Sequence, residues 1–210
     1  MKPLEAKQMG DYIVNVLVEQ IMSGNLADGT RITQEEVAKK TQLSRMPVRE
    51  ALQALEQEGF LKRLPTRHME VIGVSQRTIQ STFRILGAIE LEAASLLYES
   101  DFEVTYLQRI LKSMDTEKPK AELDQNEIQF HFELIKGIRN SYVENIQGKF
   151  LKGYLQYGIR NFTRPSEKVL PLLREILRGI EKKERAVVQG AISAYYGGII
   201  DAMIEGGNYE

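Results

Sequence analysis

The chain has 210 residues, of which 42% are hydrophobic and 27% are charged, and its formal net charge is −1. These values are ordinary for a soluble globular protein. They exclude a protein that coats nucleic acid through a generally basic surface, so that any contact with DNA or RNA must be local. The absence of cysteine excludes disulfides and thiolate sites and fits a cytoplasmic location, and no apolar run predicts a membrane span.

The first segment predicts two helices joined by a turn. Apolar side chains recur at helical spacing over residues 10–23, and Gly24 provides a stop. Residues 25–30 are typical of a turn. Thr33 and Glu36 then have capping-box spacing at the start of a second, shorter helix.

The stretch from Leu43 to Leu52 predicts a DNA-recognition helix. Ser44 can cap its first turn through the side-chain hydroxyl. Arg45 and Arg49 are one turn apart near the helix N-terminus, where guanidiniums can bind guanine edges in a major groove. Helix chemistry alone favours a solvated surface helix with two arginines, so the interpretation as a recognition helix depends on the surrounding pattern. The predicted inward stripe consists of Val48, Ala51, Leu52 and Leu55.

Two strand-like pieces, at residues 60–64 and 69–74, surround a polar tip and predict a small hairpin. A hairpin directly after such a helix is the layout of a wing. Positive charge is concentrated there, which favours contact with phosphate or the minor groove over a merely solvated hairpin. The residues concerned are Lys62, Arg63, Arg67 and His68.

From Ser75 onward the pattern is helical throughout. Six helices are predicted, at residues 75–99, 102–114, 121–138, 141–160, 169–180 and 185–204, and Gly148 and Gly153 loosen the fourth. The predicted fold is therefore mainly α. A winged helix-turn-helix of three helices and a β-hairpin occupies residues 1–74, and an all-α bundle of six to seven helices occupies residues 75–210.

Residues 12–74 resemble the winged-helix domain of the GntR family of bacterial transcription regulators. The matching stretches are residues 21–26, the run Ser-Arg-Met-Pro-Val-Arg-Glu-Ala-Leu that starts at Ser44, and residues 55–61. The resemblance implies a homodimer on a pseudo-palindromic operator, with base contacts from Arg45 and Arg49 and a phosphate contact from Ser44. Two positions depart from the family: Asp28 replaces a proline before Gly29, and His68 replaces a wing-tip glycine.

The helical remainder resembles the FCD effector domain of the FadR subfamily, through residues 127–131 and Asn140. The resemblance implies a pocket in which an Asp and three His hold a divalent metal and a carboxylate effector. Here Glu127 and His131 stand at the first two ligand positions, whereas Leu173 and Tyr195 stand at the others. A pocket arginine falls at Leu86, with Arg84 nearby.

Two protein ligands are too few for a normal zinc site, so the sequence predicts a metal-free pocket. A metal such as zinc on Glu127 and His131 is the alternative. Glu127 and His131 could instead form a buried hydrogen-bonded pair, or His131 could be a core histidine. The pocket is expected to take a more apolar, acyl-like or aromatic small molecule, and its candidate residues are Arg84, Glu127, His131, Tyr154, Tyr157 and Tyr195.

No pattern predicts an enzyme, because the chain lacks a phosphate loop, a nucleophile elbow and a triad signature. The sequence predicts a DNA-binding regulator, with repression the commoner behaviour of the family, controlled by a small molecule. A metal-dependent regulator of a carboxylate effector is one alternative. A ligand-independent helical dimerisation protein is the other, and the two exposed arginines argue against it.

Overall fold

The computed structural model describes residues 6–66, 68–100, 102–115, 117–207 and 209. They form two compact units, one comprising the chain up to Gln76 with the residues from Gly207 onward, the other Arg77–Gly206. Our predicted boundary lies two residues earlier. It also assigns the last residues to the helical part, whereas their contacts group them with the first unit, in which the Gln76 side chain donates to the Tyr209 carbonyl at 3.2 Å.

The N-terminal unit contains three helices and a three-stranded antiparallel sheet of order β1-β3-β2. Its elements are α1 (Ala6–Met22), β1 (Arg31–Ile32), α2 (Gln34–Thr41), α3 (Arg45–Gln57), β2 (Leu61–Arg63) and β3 (Met69–Val71). The predicted inward stripe of α3 is buried, and it packs with α1 and the inner face of the sheet. The sequence prediction missed β1, since a two-residue strand carries no periodicity.

The first turns of α2 and α3 differ in how they are capped. Thr33 and Glu36 form the predicted capping box, in which the Glu36 amide donates to the Thr33 hydroxyl at 3.1 Å and the Thr33 amide donates to the Glu36 carboxylate at 2.8 Å. These bonds lower the pKa of Glu36. Ser44 occupies the N-cap position of α3, but its hydroxyl makes no capping bond, contrary to our prediction.

The departure at Asp28 has a structural role. Its carboxylate accepts the Gly73 amide at 2.9 Å and so joins the turn before β1 to the chain after β3. A Cβ on Gly73 would lie 2.5 Å from the Cβ of Asp28. This close approach requires glycine at residue 73.

The helical unit has seven α-helices among its described residues, and the predicted mainly-α fold class is confirmed. They are α4 (Gln76–Leu97), α5 (Thr105–Ser113), α6 (Lys120–Lys136), α7 (Ser141–Phe150), α8 (Gln156–Asn161), α9 (Ser166–Glu181) and α10 (Arg185–Gly206). A π-helical turn, Leu151–Leu155, connects α7 to α8. The predicted helix at 141–160 is thus one helical path with a changed hydrogen-bond pattern around Gly153.

Helix α10 is long and apolar enough to cross a membrane by length and composition alone, which our inspection of the sequence did not predict. The core helix of a soluble protein can be equally long and equally apolar. Seven of its side chains are buried, including Tyr195, Tyr196 and Met203. The apolar character of α10 is therefore weak support for a membrane span.

Candidate DNA-binding surface and buried polar cluster

The N-terminus of α3 presents an exposed surface. Ser44, Arg45 and Arg49 are all exposed. Neither arginine side chain makes a hydrogen bond or ion pair with any residue that the structure describes. Met46 lies between them with 60% of its surface exposed, although our prediction gave it no role. A thymine methyl group is a suitable partner for such an apolar side chain in a major groove.

Gln34 attaches this surface to the preceding helix. Its side-chain amide donates to the carbonyl oxygen of Arg45 at 2.6 Å, across the turn between α2 and α3. The bond fixes the position of the first residue of α3. The sequence offered no signal for it, because the two residues are eleven apart and the bond ends on a backbone atom.

The predicted wing is present, but two of its basic side chains already form ion pairs within the protein. Lys62 forms an ion pair with Glu70 at 2.6 Å, and the Arg63 guanidinium donates to the Glu56 carboxylate at 2.5 Å. The carboxylates raise the pKa of both bases. Exposed ion pairs of this kind are weak, so a DNA phosphate can compete with the carboxylates for Lys62 and Arg63.

The wing tip is described only in part. The exposed ring of His68 lies with Nδ1 2.9 Å from the Thr66 hydroxyl. Arg67 lies outside the described residues. Arg31 on β1 is exposed and opposite Glu70 in the sheet register, which adds a cation that our prediction did not include.

A second site lies inside the helical unit, where charged and aromatic side chains from α4, α6 and α10 meet the connection before α9. We call it the buried cluster; it consists of Glu90, Glu127, His131, Arg164 and Tyr195. In this set the carboxylate of Glu127 accepts the Tyr195 hydroxyl at 2.6 Å and also accepts a bond from Arg164. The guanidinium carbon of Arg164 lies 5.3 Å from the centre of the Tyr195 ring.

The partner of His131 is Glu90, and the predicted pairing of His131 with Glu127 is wrong. His131 is fully buried, and its Nδ1 lies 2.9 Å and 3.0 Å from the two carboxylate oxygens of Glu90. The Gln147 side chain also donates to Glu90, at 3.4 Å. Glu127 makes its bonds to Arg164 and Tyr195 instead, because those donors reach its carboxylate directly.

Sequence reasoning missed Glu90 and Arg164. Glu90 falls on the same helical stripe as Leu86 and Ala93, so an acidic residue on an apolar face was an available signal. Arg164 precedes Pro165 in a break between helices, where no periodicity applies. Our expectation of a pocket for a more apolar molecule did not include this guanidinium.

Burial and neighbouring carboxylates raise the pKa of the two buried tyrosines of α10. Removal from water, followed by the negative charge of Glu127, raises the pKa of Tyr195 well above its ordinary value. Burial and the charge of Glu90 do the same to the pKa of Tyr196. Both phenols therefore remain protonated, and Tyr195 serves as a donor.

The other predicted pocket residues lie elsewhere. Arg84 is exposed beside a groove of about 300 Å³ between α4 and α10. Tyr154 is half-buried with its ring edge-on to Phe83, at 6.4 Å between centroids. Tyr157 packs edge-on against Phe162 at 5.8 Å. The structure thus brings together Glu127, His131 and Tyr195 and separates the remaining three.

The buried cluster does not suit a divalent metal. Among the described residues no three His, Asp or Glu side chains group as metal ligands. Leu173, at a ligand position of the resembled family, is fully buried and offers no donor. Glu127 already faces the positive charge of Arg164, which would repel a second cation.

Two cavities adjoin Arg164. One, of about 320 Å³, is lined by apolar side chains from α6, α8 and α9 and also by the charged side chains of Lys120, Asp124, Glu127 and Glu167. The other, of about 400 Å³, is lined by Tyr195 and by more polar residues of α9 and α10. Volumes of this size suit small ligands.

Comparisons with known proteins find similarity to bacterial transcriptional regulators. Residues 10–71 match the sequence model of the family described as "Bacterial regulatory proteins, gntR family". The HTH-type transcriptional regulator YdhC of Bacillus subtilis (strain 168) is 24% identical over 193 residues, 87% of this chain and 85% of that protein. The gluconate operon transcriptional repressor of the same organism is 29% identical over 150 residues, 69% of this chain and 61% of that protein.

Among solved structures, Escherichia coli McbR/YncC shares the fold. Its TM-score is 0.65 at 18% identity, covering 94% of this chain and 98% of that one. The matched family and the relatives are transcriptional regulators, not enzymes. The family match covers the unit that carries the exposed arginines of α3. Residues 10–71 of this chain are therefore similar to the DNA-binding domain of bacterial regulators of the GntR family.

Proposed function

We propose that the protein is a homodimeric, cytoplasmic repressor of the FadR subfamily that binds a pseudo-palindromic operator. A small molecule bound in its FCD-type helical domain, without metal, sets its affinity for the operator. The observation that carries the DNA contact is the pair of exposed guanidiniums of Arg45 and Arg49 at the start of α3, which have no partner among the residues that the structure describes. The cavities beside Arg164 support the ligand-binding part.

The mechanism follows from symmetry. Two winged-helix units at a separation set by the dimer match half-sites about one helical turn apart. A ligand that binds better to one arrangement of the dimer shifts the population toward it and so changes operator affinity. Repression then follows from occlusion of the operator, in line with the similarity of this chain to the gluconate operon transcriptional repressor of Bacillus subtilis.

Each group at the DNA surface has its own proposed task. Arg45 and Arg49 bind base edges, and the Ser44 hydroxyl contacts phosphate. Lys62, Arg63, Arg67 and His68 contact phosphate or the minor groove from the wing. Because Lys62 and Arg63 must leave Glu70 and Glu56 to do so, their net contribution to affinity is smaller than that of the α3 arginines.

The test is the Arg49→Ala variant on an operator selected from random DNA by the wild-type protein. We expect it to lose about 1–3 kcal/mol of operator affinity and to tolerate changes at one operator position. Fluorescence anisotropy at several salt concentrations measures both effects. Arg109→Ala is the control, since Arg109 is also exposed and carries the same charge in the helical unit. Equal affinity of wild type and Arg49→Ala for every sequence would contradict the assignment.

A further inference from the structure

We propose that the segment after α10 is a strap, which ties the last turn of α10 to the winged-helix unit and passes movements of the helical unit to the DNA-binding surface. The strap consists of the two described residues that follow α10, Gly207 and Tyr209. The chain passes from one compact unit to the other twice, after Gln76 and again after Gly206. Domains joined by a single linker are expected to move relative to each other, whereas a second connection restricts that movement. The inference rests on the proposed function, because operator binding is the property that the strap controls.

Tyr209 anchors the strap in the winged-helix unit. The residue is only 7% exposed, so that its ring is removed from water. The Gln76 side chain donates to the Tyr209 carbonyl oxygen at 3.2 Å, and both residues belong to the winged-helix unit. This bond joins the residue at the first crossing of the chain to the strap at the second crossing. Because burial of an aromatic ring is strongly favourable, the attached strap is the stable arrangement.

Two consecutive glycines, Gly206 and Gly207, lie at the second crossing, and each is covered by an aromatic ring. A Cβ on Gly206 would lie 2.9 Å from Cδ1 and 3.0 Å from Cε1 of Phe162, which belongs to the helical unit. A Cβ on Gly207 would overlap the ring of Tyr209 and lie 2.7 Å from its Cζ. A side chain at either position would push the ring away. The second crossing is therefore a close-packed joint.

Phe162 connects this joint to the interior of the helical unit. It lines the cavity of about 320 Å³, and its ring packs edge-on against Tyr157 at 5.8 Å between centroids. The same ring covers Gly206, the last residue of α10. A change in the cavity that moves the Phe162 ring therefore also moves the end of α10, which the strap follows directly.

Helix α10 provides a second route to the same joint. The Tyr195 hydroxyl donates to Glu127 of the buried cluster at 2.6 Å, and the helix continues from there to Gly206, about three turns later. Coupling between distant parts of a protein is carried by packed side chains and rigid elements of this kind. Both routes end at the strap, so its attachment through Tyr209 decides whether a movement reaches the winged-helix unit.

The first experiment measures how freely the two units turn. Nitrogen-15 relaxation of the deuterated full chain gives a rotational correlation time for the amides of each unit. We expect one shared value in the wild type and a shorter value for the winged-helix unit in Tyr209→Ala and in Gly207→Ala. The first variant removes the ring and the second displaces it, so the test remains decisive if either one does not fold. Tyr142→Ala, at an exposed position, and Gly190→Ala, where a Cβ would meet nothing within 4 Å, should behave as the wild type does.

The second experiment measures transmission on an operator selected from random DNA by the wild-type protein. Phe162→Leu keeps an apolar side chain but changes the contact with Gly206. We expect this substitution to change operator affinity by about fivefold in the wild-type background, and by less than about 1.5-fold in the Tyr209→Ala background. Fluorescence anisotropy on the single and double variants measures the difference.

Two different correlation times in the wild type, or one shared time that survives both Tyr209→Ala and Gly207→Ala, would overturn the inference. Equal effects of Phe162→Leu in the two backgrounds would overturn it as well. The two experiments separate this inference from the proposed function. If the wild type selects no operator, the proposed function is contradicted and the correlation times still decide whether the strap holds the two units. Wild-type operator binding with unchanged correlation times in the variants contradicts the strap alone.

Discussion

At the residue scale, the most informative feature is that each of two buried carboxylates in the helical unit has a basic partner. Glu90 faces His131, and Glu127 faces Arg164. An unpaired buried charge would be strongly destabilising, whereas a paired one is tolerated. The first pair joins α4 to α6, and the second joins α6 to the connection before α9. They therefore link these elements through directional contacts in addition to the apolar packing around them.

The buried tyrosines give a pH prediction. The pKa of Tyr195 and that of Tyr196 are raised by burial and by the nearby carboxylates. Above pH of about 10, an unfolded tyrosine loses a proton that the folded one keeps. The free energy of unfolding should therefore be unaffected by these groups below that pH and fall as the pH rises above it. Chemical denaturation at a series of alkaline pH values measures this decline.

Tyr195→Phe and Tyr142→Phe provide the comparison. Tyr142 is 73% exposed, so its replacement should leave the alkaline decline unchanged. Tyr195→Phe should make the decline shallower, and it should cost about 1 kcal/mol at neutral pH because the bond to Glu127 is lost. An identical alkaline decline in all three proteins would show that Tyr195 ionises as freely as a surface tyrosine.

At the element scale, two helix starts with similar sequence signals have different roles. Thr33 caps α2 through its side chain, whereas the Ser44 hydroxyl makes no capping bond at α3. Thr33→Ala should lower the free energy of unfolding by about 1 kcal/mol. Ser44→Ala should change it by less than about 0.5 kcal/mol, as expected for an exposed site, while weakening operator binding. Urea unfolding and anisotropy on the operator measure the two effects. A larger stability loss for Ser44→Ala than for Thr33→Ala would reverse this assignment of roles.

The path from α7 to α8 contains a matched pair of glycines. A Cβ on Gly158 would lie 2.9 Å from the Ile199 side chain and 3.2 Å from the Met203 sulfur, both fully buried. A Cβ on Gly148 would meet nothing within 4 Å. Gly158→Ala should therefore destabilise by about 1–3 kcal/mol through overpacking. Gly148→Ala, in a helix, should stabilise by about 0.5–1 kcal/mol. Thermal unfolding of the two variants tests the difference, and equal melting temperatures would refute the packing argument.

At the scale of the whole molecule, the proposed dimer predicts how operator affinity depends on the spacing between the two half-sites. Two recognition helices held by one dimer require half-sites on the same face of the DNA. Inserting about 5 bp between the half-sites turns one of them to the opposite face and should reduce affinity toward that of a single half-site, whereas an insertion of about 10 bp restores the facing. Anisotropy on the three operators measures this. Unchanged affinity at every spacing would mean that the winged-helix units bind independently.

The sequence by itself determined the fold class and the position of the recognition helix. Hydrophobic periodicity and capping signals are local, and they persist in the folded chain, where α3 buries the stripe that the spacing predicts. The motif from Ser44 to Leu52 was read correctly as a helix start, and the family match over residues 10–71 agrees with it.

The tertiary structure alone decided how the charged side chains are partnered. Glu90 meets His131 across 41 residues, and Arg164 meets Glu127 across 37. Lys62 and Arg63 are predicted DNA contacts, yet they lie in ion pairs within their own unit. No local pattern specifies such pairs, because they depend on which helix faces and strand registers come together. The residue types thus indicated a pocket containing Glu127, His131 and Tyr195, and the packing of α4, α6 and α10 with the connection before α9 determined the partners of these side chains.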